Sequence, residues 1–546
     1  MYVDTAIIKR NGKLYTRNLL RTSYRENGKV KHKTIANLSS CSEEEIKAIK
    51  LALKNKNNLS SLVSIKDIKT ELKKRIGAVW VLYMLAKRIG ITKALGSGNQ
   101  AKLALLQVMA RVINQGSRLS AVRFAMSHAA CEVIGIDKLD EDDLYENFAW
   151  IAEQQENIER KLFKLRFSNS VPTLFLYDVT SSYLEGVCNE LGSFGYNRDK
   201  KKGKMQIVVG LLRGPDGCPI AVRVFQGNTS DTMTVSEQIR TLAESFGVKE
   251  VTLVGDRGML KGPQINALPD DFRYITAITK PQILKMLSEG LLQYELFTEE
   301  VCEVEQDGIR YILRRNPMRA EQLAKTRGAK FASLQRLTFE RNKYLAEHSK
   351  ANVDVAMKKV QGQAKKLKID MWINVLVDGR SINLEKDASM LSEVSLLDGC
   401  YVIKSDVSKK NADTQELHDR YCDLENVERA FRTMKTSHLE MRPVYVRKEA
   451  STRGHVFVVM LALLLQRELE SCWSGLDITV EEGIDELAAI HIEEMNVGNT
   501  SSLNIPNPNN ISRQLLDAAH VQLPAIFPSR EARVHTKKKL SSRRYP

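Results

Sequence analysis

The sequence lacks the paired cysteines that mark zinc ribbons and redox dithiols. Its eight cysteines are scattered along 546 residues, and none of them forms a CxxC pair. This spacing argues against both kinds of site. We expect reduced thiols that are mostly buried.

The sequence also lacks an apolar run long enough to span a bilayer. The longest run, residues 456–465, is about half of the length that a spanning helix needs, and charged residues follow it directly. It predicts a buried core helix and no membrane partner. The residues after Met1 alternate between polar and apolar types, so we expect no secretory signal and a cytoplasmic location.

Acidic residues are outnumbered by basic ones, at 66 Asp and Glu against 82 Lys and Arg, which gives a formal net charge of +16. This balance favours a polyanionic partner, either nucleic acid or an acidic membrane surface. Without a spanning segment, nucleic acid is the better interpretation. A chain of 546 residues with 43% hydrophobic content can bury several cores, so we expect two to four domains.

Residues 1–40 have the pattern of a three-stranded β-meander. Two Asn-Gly dipeptides, at 11–12 and 27–28, separate three runs of alternating polarity, and Asn-Gly favours a tight hairpin turn. The expected outward cations are Lys9, Arg10, Lys13, Arg17, Lys29, Lys31 and Lys33. These cations could contact phosphates or could form a solvated edge.

Residues 41–168 change to a helical period. Ser42 is in the N-cap position of a helix, with Glu45 placed to complete a capping box. Further on, Gln115-Gly116-Ser117 separates two helical patterns, which is the shape of a helix-turn-helix with Arg118 and Arg123 near the second helix. A plain helical hairpin has the same pattern, so we assign DNA binding to this region and base reading to no single residue.

Residues 169–284 alternate between strands and helices. Three predicted strands are followed by helix, strand, helix and strand, which is the order of a ribonuclease H-like core. The first strand ends near Asp178 and the fourth ends at Asp256. In that topology the first and fourth strands are neighbours, so the two carboxylates are expected to lie together.

Paired carboxylates repel each other, and one pKa rises unless a cation neutralises them. Mg²⁺ suits such a site because it prefers oxygen ligands and keeps positions for water and phosphate oxygens, and Mn²⁺ can substitute for it. Two ions about 4 Å apart can activate an attacking oxygen and stabilise a leaving one. Glu428 is the candidate for the third carboxylate.

Glu428 lies in the segment 421–435, which reads as one helix. At about 100° per residue, Tyr421, Glu428, Arg432 and Lys435 share one stripe of that helix. The stripe therefore places one acid among cations.

These residues resemble the bacterial insertion-sequence DDE transposases that carry a Y-(2)-R-(3)-E-(6)-K signature. Tyr421, Glu428 and Lys435 match in identity and spacing, but Leu424 stands at the Arg position. Arg432 is the candidate to supply the missing cation. The resemblance implies that Asp178, Asp256 and Glu428 hold the metals, that Lys435 lies near a DNA phosphate, and that Tyr421 lies beside the scissile strand.

The resemblance also gives expected roles to two loops. Residues 192–206 look like a family region before the second strand, and their cations are Arg198, Lys200, Lys201, Lys202 and Lys204. With Arg257, they form the expected DNA-binding set, although a bare charge run is more often a solvated loop. Residues 226–231 match a loop that faces the active site, and they can also form a turn and helix cap.

Relatives with a long gap before the third acid carry a strand-rich insertion, which we place at 285–397. Its middle, residues 319–368, holds 13 Lys or Arg against 4 Asp or Glu, so we expect basic helices that contact DNA. Trp372 is a candidate to hold a flipped base, although a Trp in an apolar strand is usually core.

The rest of the chain completes a multidomain α+β prediction. Residues 398–475 supply the second part of the core, with a strand after Arg442 and a core helix. Residues 476–546 form a C-terminal region, with a linker or loop at 498–512 and a basic tail from Arg530.

The resemblance implies a nucleoid-associated bacterial transposase that uses two Mg²⁺ ions. It would bind the terminal inverted repeats of its element as a homodimer, cleave the 3′ ends and transfer them to target DNA. A catalytically silent DNA-binding regulator and a nuclease on the same core are the alternatives.

Overall fold

The structure is a computed structural model, and it describes residues 1–10, 12–57, 68–436, 439–442, 444–497, 500–524, 527 and 532–536. The chain divides into two compact units. The first comprises Met1–Lys74, Ile490–Asn507 and Leu523–Ser529, and the second comprises Arg75–Ala489, Pro508–Gln522 and Arg530–Pro546. The fold is mixed α/β and multidomain. The division of the chain into six segments stays a prediction.

The first unit begins with the predicted meander. Strands β1 (Tyr2–Arg10), β2 (Lys13–Glu26) and β3 (Lys29–Asn37) form an antiparallel sheet in the order β1-β2-β3. Asn27 and Gly28 have φ of 51° and 75°, as a tight turn of this kind requires. Asn11, in the other predicted turn, lies outside the described residues.

Helix α1 (Glu43–Lys54) follows with the predicted capping box. The Glu45 amide donates to Ser42 Oγ at 3.3 Å, and the Ser42 amide donates to Glu45 Oε2 at 2.7 Å. Two backbone donors that a helix start leaves open are thereby satisfied.

A second sheet in this unit was not predicted. It has the order β17-β16-β4 and is built from β4 (Ile68–Arg75), β16 (His491–Val497) and β17 (Thr500–Asn504). The expectation of a linker or loop at 498–512 is wrong for the described residues 500–512, since they contain β17 and the start of a helix. The Asn and Pro residues of this segment suggested a loop, whereas β17 is stabilised by pairing with β16.

The second unit opens with the predicted helical region. Its elements are α2 (Gly77–Arg88), α3 (Ile91–Leu95), α4 (Asn99–Ile113), α5 (Arg118–Ser127), α6 (Ala130–Ile134), β5 (Lys138–Leu139) and α7 (Glu141–Arg166). Asp140 caps helix α7, and the acidic residues Glu141, Asp142 and Asp143 form its first turn. Carboxylates favour the positive end of a helix dipole.

Arg118 does not point toward solvent. Its side chain is buried, donates to Gln107 and lies 4.8 Å from the centre of the Phe148 ring. Arg123 on the same helix is exposed. The burial of Arg118 favours the helical hairpin over a helix-turn-helix that presents this residue to DNA.

The central sheet has eight strands in the order β11-β12-β15-β10-β9-β6-β7-β8. These are β6 (Leu174–Tyr183), β7 (Gln206–Arg213), β8 (Pro219–Gln226), β9 (Val251–Gly255), β10 (Phe272–Ala277), β11 (Cys302–Gln306), β12 (Ile309–Arg315) and β15 (Cys400–Ser405). Strands β6, β7 and β8 are antiparallel, whereas β9 runs parallel to both β6 and β10. The predicted neighbourhood of the first and fourth strands, β6 and β9, is confirmed.

Helices join these strands and continue the chain. They are α8 (Asp231–Arg240), a π-helical turn at Thr241–Ser245, α9 (Gly262–Asn266), α10 (Lys280–Ser288) and a 3₁₀ turn at Tyr294–Leu296. An apolar core that includes Phe175, Tyr177 and Val179 lies on one face of β6.

The segment 285–397 is rich in helix, so the expectation of a strand-rich insertion is wrong. It contains the basic helices α11 (Pro317–Glu347) and α12 (Val353–Leu367), the hairpin β13 (Ile373–Asp378) and β14 (Ser381–Lys386), and α13 (Ala388–Leu396). Strands β11 and β12 also lie in this segment, but they extend the central sheet through β15.

Trp372 is a core residue of this segment. It is 3% exposed and belongs to a cluster with Leu334 and Val360. A buried indole cannot accept a DNA base without unpacking the cluster. The structure therefore favours the interpretation of Trp372 as a core residue.

The chain continues through α14 (Thr414–Cys422), α15 (Leu424–Lys435), α16 (Glu449–Trp473), α17 (Val480–Leu487), α18 (Asn510–Ala518) and β18 (Arg533–Val534). The run 456–465 is buried in α16, which confirms the predicted core helix. The strand expected after Arg442 is reduced to one bridge between Val444 and Leu184. Across the described residues, no helix is long and apolar enough to cross a membrane.

All eight cysteines are free thiols, of which two, Cys131 and Cys400, are buried. The expectation of mostly buried thiols is therefore wrong. Cys188 and Cys422 are exposed, because they lie in a loop and at a helix end rather than in the apolar cores.

Replacing Gly454 by alanine is expected to destabilise the second unit by about 1–3 kcal/mol, because α16 packs closely against α7. A Cβ at this position would lie 2.4 Å from the Phe148 carbonyl oxygen, a backbone atom. Gly475→Ala is the matched control, since its Cβ would meet nothing within 4 Å. Urea unfolding measures both variants, and equal midpoints would contradict the packing argument.

Candidate active site

Asp178 and Asp256 occupy adjacent positions on neighbouring parallel strands. Tyr177 on β6 pairs with Gly255 on β9 in register. The residues that follow these two in the sequence are Asp178 and Asp256. Side chains alternate between the faces of a strand, and Tyr177 belongs to the apolar core. Asp178 therefore projects from the opposite face.

The charge on Asp178 is disfavoured by its surroundings. Burial raises its pKa to about 7, and the nearby carboxylates of Asp256 and Glu428 add to the rise. The Val179 amide, which donates to Asp178 Oδ1 at 2.7 Å, and the Arg198 guanidinium oppose it. The structure thus brings the three predicted acids into one electrostatic neighbourhood.

The donors in this neighbourhood are carboxylate oxygens, the ligands that hard divalent cations prefer. A cation would also relieve the repulsion from Asp256 and Glu428, which adds to the effect of burial on the Asp178 pKa. Within the described ranges, no three His, Cys, Asp or Glu side chains stand close enough together to hold one ion as they are placed. The donor chemistry therefore fits a divalent cation, although these side chains must draw together to ligate it.

Glu428 and Tyr421 lie on two helices rather than on one. Helix α14 ends at Cys422 and α15 begins at Leu424, with Asp423 at the junction. The prediction of one continuous helix is therefore wrong, and ideal helical angles do not relate the two side chains. Sequence period could not reveal this break, because Asp423 keeps a nearly helical φ of −60° and ψ of −14°.

The members of the predicted stripe differ in their exposure to solvent. Val427, Phe431 and Met434 are buried on one side of α15, whereas Glu428 and Arg432 are exposed. Helix α15 packs against β6, the strand that carries Asp178, so its position governs that of Glu428.

Tyr421 is half-buried near the second acid. Burial raises the pKa of its phenol, the Asp256 carboxylate raises it further, and the Arg257 guanidinium lowers it. Tyr421 and Arg257 therefore lie beside Asp256, as their predicted roles require. Leu424, the departure from the signature, is partly buried at the start of α15.

Lys435 is buried and bonded within the protein. Its Nζ donates to Thr180 Oγ1 at 2.6 Å and to Asp199 Oδ1 at 3.0 Å, and burial lowers its pKa although Asp199 opposes this. Arg442 also donates to Asp199 Oδ1, and the Tyr183 amide donates to Asp199 Oδ2 at 3.1 Å. A DNA contact by Lys435 stays a prediction; here the residue ties α15 to β6.

Asp199 was missed in the sequence because it lies inside a basic run. Its carboxylate is 3% exposed and pairs with two cations. The available signal was a single acid next to Arg198 and before several lysines. An acid in such a basic run is expected to pair with a cation.

Arg198 is also paired. Its Nη2 lies 2.6 and 2.7 Å from the two carboxylate oxygens of Asp231, and its amide donates to Ser181 Oγ at 2.9 Å. A Cβ built on Gly258 would lie 3.7 Å from Asp256 Oδ2 and 3.8 Å from Asp231 Oδ2. Asp231, the last residue of the loop 226–231 that was expected to face the active site, is therefore a fourth acid beside the site.

The lysines after Arg198 are more open. Lys200, Lys201 and Lys202 are exposed, and Lys201 Nζ lies 5.8 Å from the centre of the Tyr183 ring. Lys204 pairs with Glu185 at 2.7 Å. The exposed members of this run can meet a phosphate backbone without breaking an ion pair given by the structure.

A sheet that carries two adjacent acids, with a third on a helix and cations around them, defines a class of protein. Residues 169–465 match the transposase DDE domain, and this chain therefore belongs to the DDE transposases. Residues 5–62 match the N-terminal domain of IS1634 family transposases. The protein is a DNA transposase.

Further comparisons are more distant. No curated protein matches this chain. A solved piggyBac transposase synaptic complex with hairpin DNA has a TM-score of 0.33 at 9% identity, over 75% of this chain and 78% of that one. At that TM-score, the likeness supports no argument about this chain.

Proposed function

We propose that this transposase cleaves the 3′ ends of its own element and joins them to target DNA, with Asp178, Asp256 and Glu428 as the catalytic acids. The observation that supports this most is the raised pKa of Asp178, to which both other acids contribute. Carboxylates that repel one another and raise a pKa in this way are stabilised when a cation binds between them.

The scaffold proposed for these acids is a ribonuclease H-like core. Its support is the strand arrangement, in which β10, β9, β6, β7 and β8 are consecutive in the sheet. Strand β9 is parallel to β10 and β6, whereas β7 is antiparallel to β6. Leu424 departs from the full signature, and Arg432, exposed on α15, is proposed to supply the missing cation.

The cofactor proposed is Mg²⁺, as two ions, with Mn²⁺ as a substitute. When bound, the ions would activate the attacking oxygen and stabilise the leaving oxygen of an in-line displacement. Asp178 and Asp256 would hold them from the sheet, and Glu428 would hold them from α15. Because Lys435 and Asp199 fix α15 against β6, these residues keep the third acid within reach of the other two.

The partners proposed are double-stranded DNA, as element ends and target, and a second copy of the chain. The exposed cations Lys200, Lys201, Lys202 and Arg432 support the DNA contact. Tyr421 and Arg257, next to Asp256, would contact the strand that is cut. Terminal inverted repeats are the proposed recognition sites, and the homodimer is proposed for the complex that joins two ends.

Cleavage of a linear DNA fragment that carries the element end tests this function. Wild-type protein with Mg²⁺ is expected to release the 3′ end and join it to a second DNA, whereas chelation stops both steps. Asp256→Asn is the matched variant, expected to bind the fragment without cutting it. Binding without cutting by the wild type would favour the silent regulator, and cutting without joining would favour a nuclease.

A further inference from the structure

We infer that the loop between β6 and β7 holds a surface for stacking unpaired DNA bases beside the active site. The inference rests on the proposed function, and it specifies the form of DNA that the site takes. Its main residues are Phe194 and Tyr196, which are 65% and 83% exposed. Large apolar rings left in water mark a partner surface when cations surround them.

The backbone of this loop is firmly held although its rings are exposed. The buried Gln206 side chain donates to the carbonyl oxygens of Tyr196 and Gly227, at 3.2 and 2.8 Å. Ser193 and Gln206 exchange two backbone hydrogen bonds, at 3.2 and 3.0 Å. The rings are therefore presented by an ordered backbone, as a stacking surface requires.

Gly195, between the two rings, shows how tightly the loop is seated. A Cβ at this position would lie 2.3 Å from the Gly227 carbonyl oxygen and 2.8 Å from Gln206 Nε2. The backbone at 195 lies against the protein, while the side chains on either side of it are directed outward. This alternation keeps both rings available to a ligand.

Cations follow the rings along the chain. Arg198 lies 5.8 Å from the centre of the Tyr196 ring, and Lys200 and Lys201 are exposed. Tyr445, 72% exposed, lies close enough to Lys204 for the two to interact electrostatically. Rings among cations match single-stranded DNA, in which base faces are free and phosphates lie close by.

A duplex would use this surface less well. Its bases cover each other's faces, so only phosphates could meet the loop, and the exposed rings would have no role. An unpaired strand offers both groups at once. The occupant that fits is therefore a short unpaired stretch of the DNA end rather than intact duplex.

The position of the loop connects this surface to the chemistry. Arg198 lowers the pKa of Asp178, and Asp199 bonds to Lys435 on the helix that carries Glu428. A strand stacked on Phe194 and Tyr196 would thus leave its neighbouring phosphates near the three acids. Trp372, the aromatic expected to hold a base, is buried and offers no competing surface.

Binding to two DNA probes in a chelator tests the inference without cleavage. One probe is a blunt duplex, and the other is a fork of the same sequence with four unpaired bases, one of them 2-aminopurine. The Phe194→Ala/Tyr196→Ala variant is expected to lose affinity for the fork by about tenfold or more, from the known value of stacking on one base. Its blunt-duplex affinity should change less than threefold, and quenching of the 2-aminopurine should disappear.

Ile511→Ala is the control, because Ile511 is 52% exposed on α18 and lies outside the loop and outside the basic helices expected to contact DNA. The conservative Phe194→Trp variant should keep both fork affinity and quenching, which separates lost stacking from a damaged fold. Equal losses on both probes, or no loss on the fork, would overturn the inference. So would a variant whose DNA binding is intact but whose sedimentation changes, since the rings would then contact a second copy.

The result also separates this inference from the proposed function. A wild-type protein that quenches the fork through these rings but never cuts DNA would contradict the proposed function alone. A protein that cuts and joins DNA while the ring variant binds both probes normally would contradict the stacking surface alone.

Discussion

Asp178→Asn is expected to raise the stability of the protein at pH 8 while it abolishes DNA cleavage. In the wild type, this carboxyl has a pKa raised from 3.8 to about 7 by burial and by the other acids. Folding at pH 8 must therefore keep a charge where the site disfavours it. A neutral amide of the same shape removes that penalty, by about 1–3 kcal/mol after allowance for partial solvent exposure.

The sign of the effect fixes its pH dependence. A raised carboxyl pKa means that the folded protein binds the proton more tightly than the unfolded chain does. Below about pH 4 the group is protonated in both states, so the substitution should change little there. Its stabilising effect should grow between pH 4 and pH 7 and level off above pH 7, where the folded carboxyl is ionised.

Thermal melts at pH 4 and pH 8, without metal, measure this prediction. Asp485→Asn, at an exposed acid on α17, is the control and should have little effect at either pH. Cleavage by Asp178→Asn should fall by at least about a thousandfold, because the carboxylate proposed to hold the catalytic cation is lost. A variant that is less stable than the wild type at pH 8 would show that Asp178 has a structural role.

Asp199→Ala is expected to destabilise the second unit by about 3–5 kcal/mol, the usual cost of leaving buried charges without their partner. The side chain of Asp199 is 3% exposed and that of Lys435 is 9% exposed. Without the carboxylate, Lys435 and Arg442 would face each other as like charges. Lys435 would lose its proton more readily, since burial already lowers its pKa.

Chemical unfolding of three variants separates this cause from general damage. Adding Lys435→Met to Asp199→Ala should recover part of the loss, because one of the stranded charges is gone. Glu449→Ala breaks an exposed pair with Arg453 and should cost no more than about 0.5 kcal/mol. If the single and double variants unfold together, the buried pair does not hold α15 in place.

Local signals explain what the sequence could predict. Asn27-Gly28 contains its own turn geometry, and Ser42 with Glu45 contains its own cap, so each needed only a few neighbouring residues. Asp178 and Asp256 were found because each follows an apolar run in the sequence, although strand β6 continues past Asp178 to Tyr183. The eight-stranded sheet went beyond prediction, since β11 and β12 join it only through β15, which is distant in the sequence.

The missed features depend on contacts between distant residues. Asp199 has meaning only beside Lys435 and Arg442, which lie more than 230 positions later. The sequence pattern allowed Arg118 to reach DNA from a helix-turn-helix, whereas the structure buries it against Gln107 and Phe148. Composition recorded the charge of such residues correctly, but it could not tell a surface cation from a buried one.

The second sheet of the first unit can form only late in synthesis of the chain. Strand β4 ends at Arg75, and its partner β16 begins at His491. A ribosome that adds about 5–20 residues per second needs on the order of half a minute to make the chain between them. During that time, the nascent protein carries an open strand edge, and a chain that stops early never closes it.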